Sequence, residues 1–305
     1  MPGPVVVTGA SGLVGGALAA KLRTAARPLR LVSRSPGRLP AGPGVAPVGW
    51  DGLSLAASAL DGAAAVVHLA GEPIFGALPT RARRERIWAS RVDSTRRIVE
   101  RIAELPASRR PGALVCASAV GFYGDRGEAE LTEEAAPGEG FLAELCVAWE
   151  EAAQRAAELG VRVARLRFGV VLSRAGGALP VLARAFRLGL GGRIGSGRQW
   201  FSWVHLDDVV ALALRAVDDA ALAGACNVVA PAPVRNADFT RAVASALHRP
   251  ALLPAPAFAV RLALGALAGE LLGSRRVLPA RALALGHRFA HAEVRSALAA
   301  ELARP

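Results

Sequence analysis

The sequence predicts a doubly wound α/β fold: a parallel sheet with helices on both faces, followed by a smaller, mostly helical C-terminal region. Three observations predict it. An apolar run, Val5-Val6-Val7, ends at Thr8 and passes straight into glycines, the pattern of a strand buried on both faces. Short apolar runs then alternate with stretches of helical periodicity up to about residue 175, the rhythm of strand–helix–strand units. A proline-rich segment at 250–256 closes that pattern and opens a tail of helical character.

The elements follow in order. Residues 4–8 read as the first strand, and Leu13 to Arg23 as the helix after it. Leu29 to Ser33 is a second strand. Val66 to Leu69 and Leu114 to Cys116 are further strands, with a long helix over about 79–104 between them. In that helix Ile87, Trp88, Val92 and Ile98 mark one apolar face. Phe141 to Leu159 is the next helix and Val161 to Leu166 the next strand. Beyond, the glycine-rich stretch from Leu188 to Gly197 reads as a loop, with an aromatic cluster after it.

Composition narrows the function. Of 305 residues, 52% are hydrophobic, ample for a core, and the net charge is +12. The only lysine is Lys21; the rest of the basic charge is arginine, alongside abundant alanine. That compositional habit explains the charge without a polyanionic partner. The densest basic run, Arg81 to Arg86, lies on the solvated side of the long helix and carries no interleaved aromatics, so nucleic acid is not expected. Cys116, Cys146 and Cys226 have no metal-type spacing, which fits a reduced, cytoplasmic protein. The most apolar stretch, Ala251 to Leu272, is broken by Pro254, Pro256, Arg261 and Glu270, so no membrane association is expected.

Gly9, Gly12 and Gly15 form G-x-x-G-x-x-G between the first strand and the first helix. Glycine permits a tight turn and close backbone approach, and the helix N-terminus offers free N–H groups and a positive dipole to a pyrophosphate. The second strand sharpens the choice of dinucleotide. NAD sites usually end that strand in an acid that holds the ribose 2′-hydroxyl. Here no Asp or Glu precedes Asp51, and the strand ends in Ser33-Arg34, with Arg38 close behind. A hydroxyl beside a guanidinium suits a 2′-phosphate, so the expected cofactor is NADP(H).

Thr8 to Gly15, His68-Leu69-Ala70-Gly71-Glu72-Pro73 and Ser118 to Gly124 together resemble the extended short-chain dehydrogenase/reductases. Phe186 to Gln199, Trp203 to Asp208, Asn227 to Asn236 and Leu278-Pro279 narrow the likeness to an atypical epimerase-like branch. Its bacterial members were once labelled cell-division-inhibitor homologues and carry a C-terminal domain of unknown function. The resemblance implies a Rossmann NADP-binding domain over 1–175. It implies a substrate-side region at 176–249, interwoven with the core, and a small helical domain at 250–305. It places Gly9, Ser11, Gly12, Leu13, Val14 and Gly15 on the pyrophosphate, and Ser33 and Arg34 on the adenosine phosphate. Leu69, Ala70 and Gly71 would line the cofactor, with Arg91 reaching it from the long helix and Gly169 passing near the nicotinamide. The two long helices, about 79–104 and 141–159, are the expected homodimer face.

The wider family uses a Tyr as acid/base and a Lys four residues on. The only tyrosine is Tyr123, far from Lys21, and the matching helix carries Phe141 and Leu145 instead. A proton-transfer group must be titratable and within hydrogen-bond reach, so other residues must supply it. Tyr123, Ser118 and Glu133 are the candidates, each against a structural alternative: packing for Tyr123, helix capping for Glu133. His205 precedes Asp207 and Asp208, either of which suits a helix N-cap. Cys146 reads as an inert core thiol. Arg193, Arg198, Gln199 and Trp200 read as substrate-side lining. The expected function is an NADP(H)-binding, epimerase-like oxidoreductase acting on an unidentified small molecule. The alternative is a non-catalytic NADP(H)-binding sensor or scaffold.

Overall fold

The computed structural model describes residues 3–74 and 80–302. The first strand, β1 (Val5–Thr8), leads into α1 (Leu13–Thr24), then β2 (Leu29–Ser33), β3 (Val45–Gly49) and β4 (Ala65–His68). The helical segments α2 (Arg81–Trp88) and α3 (Ser94–Ala103) are joined without a break by one π-helical stretch, Ala89–Asp93. The expected start of this helix near residue 79 lies outside the described residues. Then come β5 (Ala113–Ala119), β6 (Glu130–Leu131), α4 (Phe141–Gln154), β7 (Arg162–Phe168), β8 (Val170–Leu172) and α5 (Ala178–Arg187). The chain continues through β9 (Trp200–Phe201), β10 (Trp203–His205), α6 (Leu206–Asp218), β11 (Gly224–Val228), β12 (Val234–Arg235) and α7 (Asn236–Leu247). It ends with α8 (Ala257–Leu264), α9 (Ala268–Leu272), β13 (Arg276–Val277), α10 (Ala280–Ala284) and α11 (Val294–Leu302).

Seven parallel strands form the main sheet in the order β11-β7-β5-β4-β1-β2-β3. The chain reverses direction across the sheet between β1 and β4, which makes a ligand crevice above their C-terminal ends. One face packs α2, α3 and α4 through Ile87, Ile98, Ile102, Leu145 and Trp149. The other packs α1 and α6 through Leu18, Leu22, Val209 and Leu212. Central strands such as Val5-Val6-Val7 are therefore buried on both faces. The edge strands are harder to see in the sequence. β3 holds Pro47, tolerable where one side needs no ladder partner, and β11 is short and mixed.

Part of the basic face of α2 and α3 is paired locally. Arg81 pairs with Glu85, Arg96 with Asp93, Arg97 with Glu100 and Arg101 with Glu104, all one helical turn apart. Among the described residues no helix is long and apolar enough to cross a membrane.

Candidate functional site

The crevice is built first by close backbone contact. Gly9 sits at φ +68°, and a Cβ there would fall 2.8 Å from the Leu69 carbonyl. A Cβ on Gly15 would fall 2.3 Å from the Gly9 oxygen. Only glycine lets the β1 loop, the start of α1 and the β4 loop meet this closely. The Thr8 hydroxyl ties the loops together. It donates to His68 Nδ1 (2.7 Å) and accepts from the backbone N–H groups of Leu69 (3.2 Å) and Ala70 (3.3 Å). His68 then donates through Nε2 to Ser94 Oγ (3.2 Å), on α3. This ring is neutral: burial first, and Arg91 second, push its pKa down to about 3. The sequence reading gave His68 no role of its own. Its signal was a histidine ending a fully apolar strand.

Around this frame several donors are left open. No side chain caps α1, so its first-turn N–H groups and positive dipole face the crevice. Ser11 Oγ lies 3.3 Å from Ser33 Oγ at the end of β2. Arg34 beside it is exposed and makes no side-chain hydrogen bond or ion pair among the described residues. On the far side, a Cβ on Gly71 would fall 3.3 Å from the guanidinium carbon of Arg91. Arg91 is buried. Its Nη1 donates to the Glu72 carbonyl (3.0 Å), and its pKa is lowered to about 10, chiefly by burial. Leu13 and Val14 open α1, and Gly169 packs between Ser202 and Val229 at the end of β7. A glycine turn, a free helix N-terminus, paired serines and a free guanidinium are the donor set a phosphorylated dinucleotide needs. No Asp or Glu ends β2 itself. The residues fit the cofactor.

Above β5 and β7 the polar groups close on themselves. Ser118 and Arg167 are register partners on adjacent strands. Ser118 Oγ donates to Glu150 Oε1 (2.7 Å), and Arg167 grips the same carboxylate through Nε (2.7 Å) and Nη2 (2.9 Å). Arg167 Nη1 also donates to the Tyr123 hydroxyl (2.8 Å), which donates to Asn227 Oδ1 (2.7 Å). Burial lowers the Arg167 pKa, but Glu150 outweighs it and the net shift is upward. Tyr123 is fully buried, and that burial raises its pKa to about 12. Glu133 accepts from the backbone N–H groups of Asn227 (2.9 Å) and Arg281 (3.2 Å), the latter in the first turn of α10. Sequence reasoning missed Glu150, Arg167 and Asn227. The available signal was the charge of Arg167, set between the apolar Leu166 and Phe168 at the end of β7. Phe141 and Leu145 pack into the core, leaving no titratable group at either position. Cys146 beside them is buried, its thiol pushed up to about 12, first by burial.

The profile of the NAD dependent epimerase/dehydratase family matches residues 5–228. The chain belongs to that family. A second profile, a domain of unknown function (DUF1731), matches residues 255–301. An Arabidopsis thaliana protein, the chloroplastic homologue of epimerase family protein SDR39U1, is 38% identical over 97% of this chain and 86% of its own. The crystal structure of human SDR39U1 with NADPH superposes with a TM-score of 0.87 at 33% identity, covering 98% of this chain and 99% of the human one. A nucleoside-diphosphate sugar epimerase from Corynebacterium glutamicum gives 0.80 at 39% identity, covering 99% of this chain and 59% of that one.

In this epimerase-family chain the C-terminal third is bolted to the sheet. His205, not Asp207 or Asp208, caps α6: its Nδ1 accepts from Asp207 N–H (3.1 Å), because the helix begins at Leu206, ahead of both acids. Its Nε2 meets Glu301 Oε1 of α11 (2.9 Å), and its ring stacks on His291 at 3.6 Å. Asp208 accepts from the backbone N–H groups of Ala290 and His291. In the glycine-rich loop, Arg193 Nη1 donates to the Ser196 carbonyl (2.9 Å), and Gln199 donates to Ile194 and Leu271 carbonyls. Arg198 is exposed. Trp200 lies between Arg235 (4.1 Å) and Arg276 (4.7 Å), with its indole N–H on Glu128 (3.0 Å).

Proposed function

We propose that this protein is an NADP(H)-dependent oxidoreductase of the epimerase family, acting on a carbonyl or carbinol carbon of a small molecule. The observation that carries the reading is the open donor set at the ends of β1 and β2: an uncapped α1, paired Ser11 and Ser33, and an exposed Arg34 with no side-chain partner among the described residues. The human relative crystallised with NADPH supports it. Gly9, Ser11, Gly12, Leu13, Val14 and Gly15 hold the pyrophosphate through backbone N–H groups. Ser33 and Arg34 hold the 2′-phosphate, and Arg91 steadies the cofactor beside Leu69, Ala70 and Gly71. Bound NADP(H) supplies or takes the hydride. In this reading Tyr123, Ser118 and Glu133 fix the strand ends, since their polar atoms are engaged within the protein.

A fluorescence titration with NADPH and NADH tests the reading. Tight binding that favours NADPH is expected; equal or absent binding would sink it. One observation favours a second reading, a non-catalytic NADP(H)-binding sensor or scaffold: the apolar Phe141 and Leu145 where the wider family keeps its acid/base pair. Turnover of bound NADPH by any metabolite excludes that reading.

A further inference from the structure

Gly121 lies two residues past the end of β5, at the C-terminal edge of the sheet. A Cβ placed on it would meet three atoms: Leu142 Cβ at 3.5 Å, Glu270 Oε2 at 3.6 Å and Cys146 Sγ at 3.8 Å. Leu142 and Cys146 belong to the first two turns of α4, the stretch that carries Phe141 and Leu145. Glu270 does not belong to the sheet domain. It arrives on α9, from the C-terminal region matched as a domain of unknown function. The carboxylate therefore lies beside position 121, within van der Waals reach of a Cβ there, next to the start of α4.

The segment before it is firmly seated. Leu267 is buried in the same cluster as Leu142, Leu145 and Trp149, with Leu264 packed against it. Glu270 Oε2 is nonetheless buried with no hydrogen-bond partner among the described residues. Arg275 Nη2 lies 3.3 Å away, close enough to lend charge but not aligned to bond. The Arg275 N–H groups go instead to the backbone carbonyls of Gly124, Gly269 and Glu270. The other charged groups near this point are Arg91 and Glu150, which act on Cys146. A buried carboxylate oxygen with a free lone pair is costly and rare. The two other buried or half-buried acids at this edge, Glu150 and Glu133, have their oxygens engaged.

We propose that Glu270, supplied by the C-terminal domain, is the proton-transfer group at the redox end of the cofactor crevice. It would take over the work of the missing tyrosine. The proposal rests on the NADP(H)-dependent reading above. A dinucleotide held by the glycine loop would reach across the switch point towards the C-terminal ends of the strands beyond β4, the edge where Gly121 lies. The proton on Glu270 Oε2 passes to the oxygen of a substrate C=O as the hydride reaches its carbon. The product is a C–H and an O–H, the cofactor is left oxidised, and the carboxylate is reprotonated from solvent. Oxidation runs the same steps backwards. Cys146, buried with its thiol pushed up to about 12, is a poor alternative.

The test needs no substrate. A carboxylate beside the nicotinamide favours the cationic oxidised ring over the neutral reduced one. Dissociation constants for NADP+ and NADPH are measured by calorimetry on the wild type, Glu270→Gln and Glu270→Asp. In Glu270→Gln, NADP+ affinity should fall at least about fivefold relative to NADPH, a change the Asp variant largely reverses. An unchanged ratio with intact NADPH binding overturns the proposal and leaves the NADP(H) reading standing. Loss of folding in Glu270→Gln overturns it too, by making the residue structural. A wild type that binds neither nucleotide brings down the functional reading itself, and this inference with it.

Discussion

The two ends of the crevice use polar residues in opposite ways. At β1 and β2 the donors are unpaired among the described residues: the start of α1 has no side-chain cap and Arg34 has no partner. At β5 and β7 the chain Ser118–Glu150–Arg167–Tyr123–Asn227 satisfies itself in the dry interior. An open donor set on a rigid frame waits for a ligand, whereas a closed network holds strands in place. Substitutions at the closed end should therefore cost stability and spare nucleotide affinity. Substitutions at the open end should do the reverse.

The largest effect is expected at Glu150. Replacing it by Ala leaves Arg167 as an uncompensated buried charge, at a cost of about 3–5 kcal/mol. Urea unfolding should show that loss, while the NADPH dissociation constant of the folded fraction changes less than about twofold. A large affinity change would mean that the network belongs to the ligand site. Next in size is Arg34→Glu. Losing a charge-assisted phosphate contact should weaken NADPH binding by about 1.5–3 kcal/mol with NADH binding little altered. The melting temperature should not move.

His68 sharpens the comparison through pH. The folded ring is held near a pKa of 3, against 6.5 for an ordinary histidine. Below 6.5 the unfolded chain takes a proton that the folded protein refuses. The stability from this group is thus whole above about pH 6.5 and falls as pH drops towards 3, by about 2 kcal/mol at pH 5. Unfolding curves at pH 7 and pH 5 should show a smaller difference in His68→Gln than in the wild type. His287, also held down by burial, adds in the same direction. An unchanged difference would mean that the His68 ring takes up its proton in the fold as readily as in the unfolded chain. A smaller effect is expected for Tyr123→Phe, which strips one bond each from Arg167 and Asn227: about 1–2 kcal/mol of stability, with NADPH binding retained. The smallest is Arg97→Ala, an exposed pair with Glu100 on the helix surface, within about 0.5 kcal/mol of wild type by thermal melting.

Much of this was legible in the chain itself. The strand at Leu29–Ser33 falls where its apolar run lies, and the long helix runs on from α2 to α3 as its apolar spacing indicates. The glycine spacing and the missing acid before Asp51 mark one crevice wall without any coordinates. These are local signals: periodicity, turn chemistry and a residue's immediate neighbours. The edge strand β3 was not legible, because Pro47 masks it and an edge position forgives it.

What only the tertiary structure decided depends on groups far apart in sequence. Asn227 meets Tyr123 across 104 positions, and Glu301 reaches His205 across 96. Whether Ser118 or Tyr123 is free to react turns on Glu150, Arg167 and Asn227, which no spacing rule connects to them. Glu270 is marked in the sequence only as a break in an apolar stretch, yet the fold carries its carboxylate to the end of β5. The sequence specified which groups were present and which local shapes they favoured. Sheet order and the docking of the tail decided which of them were satisfied, because a hydrogen bond depends on distance in space and not along the chain.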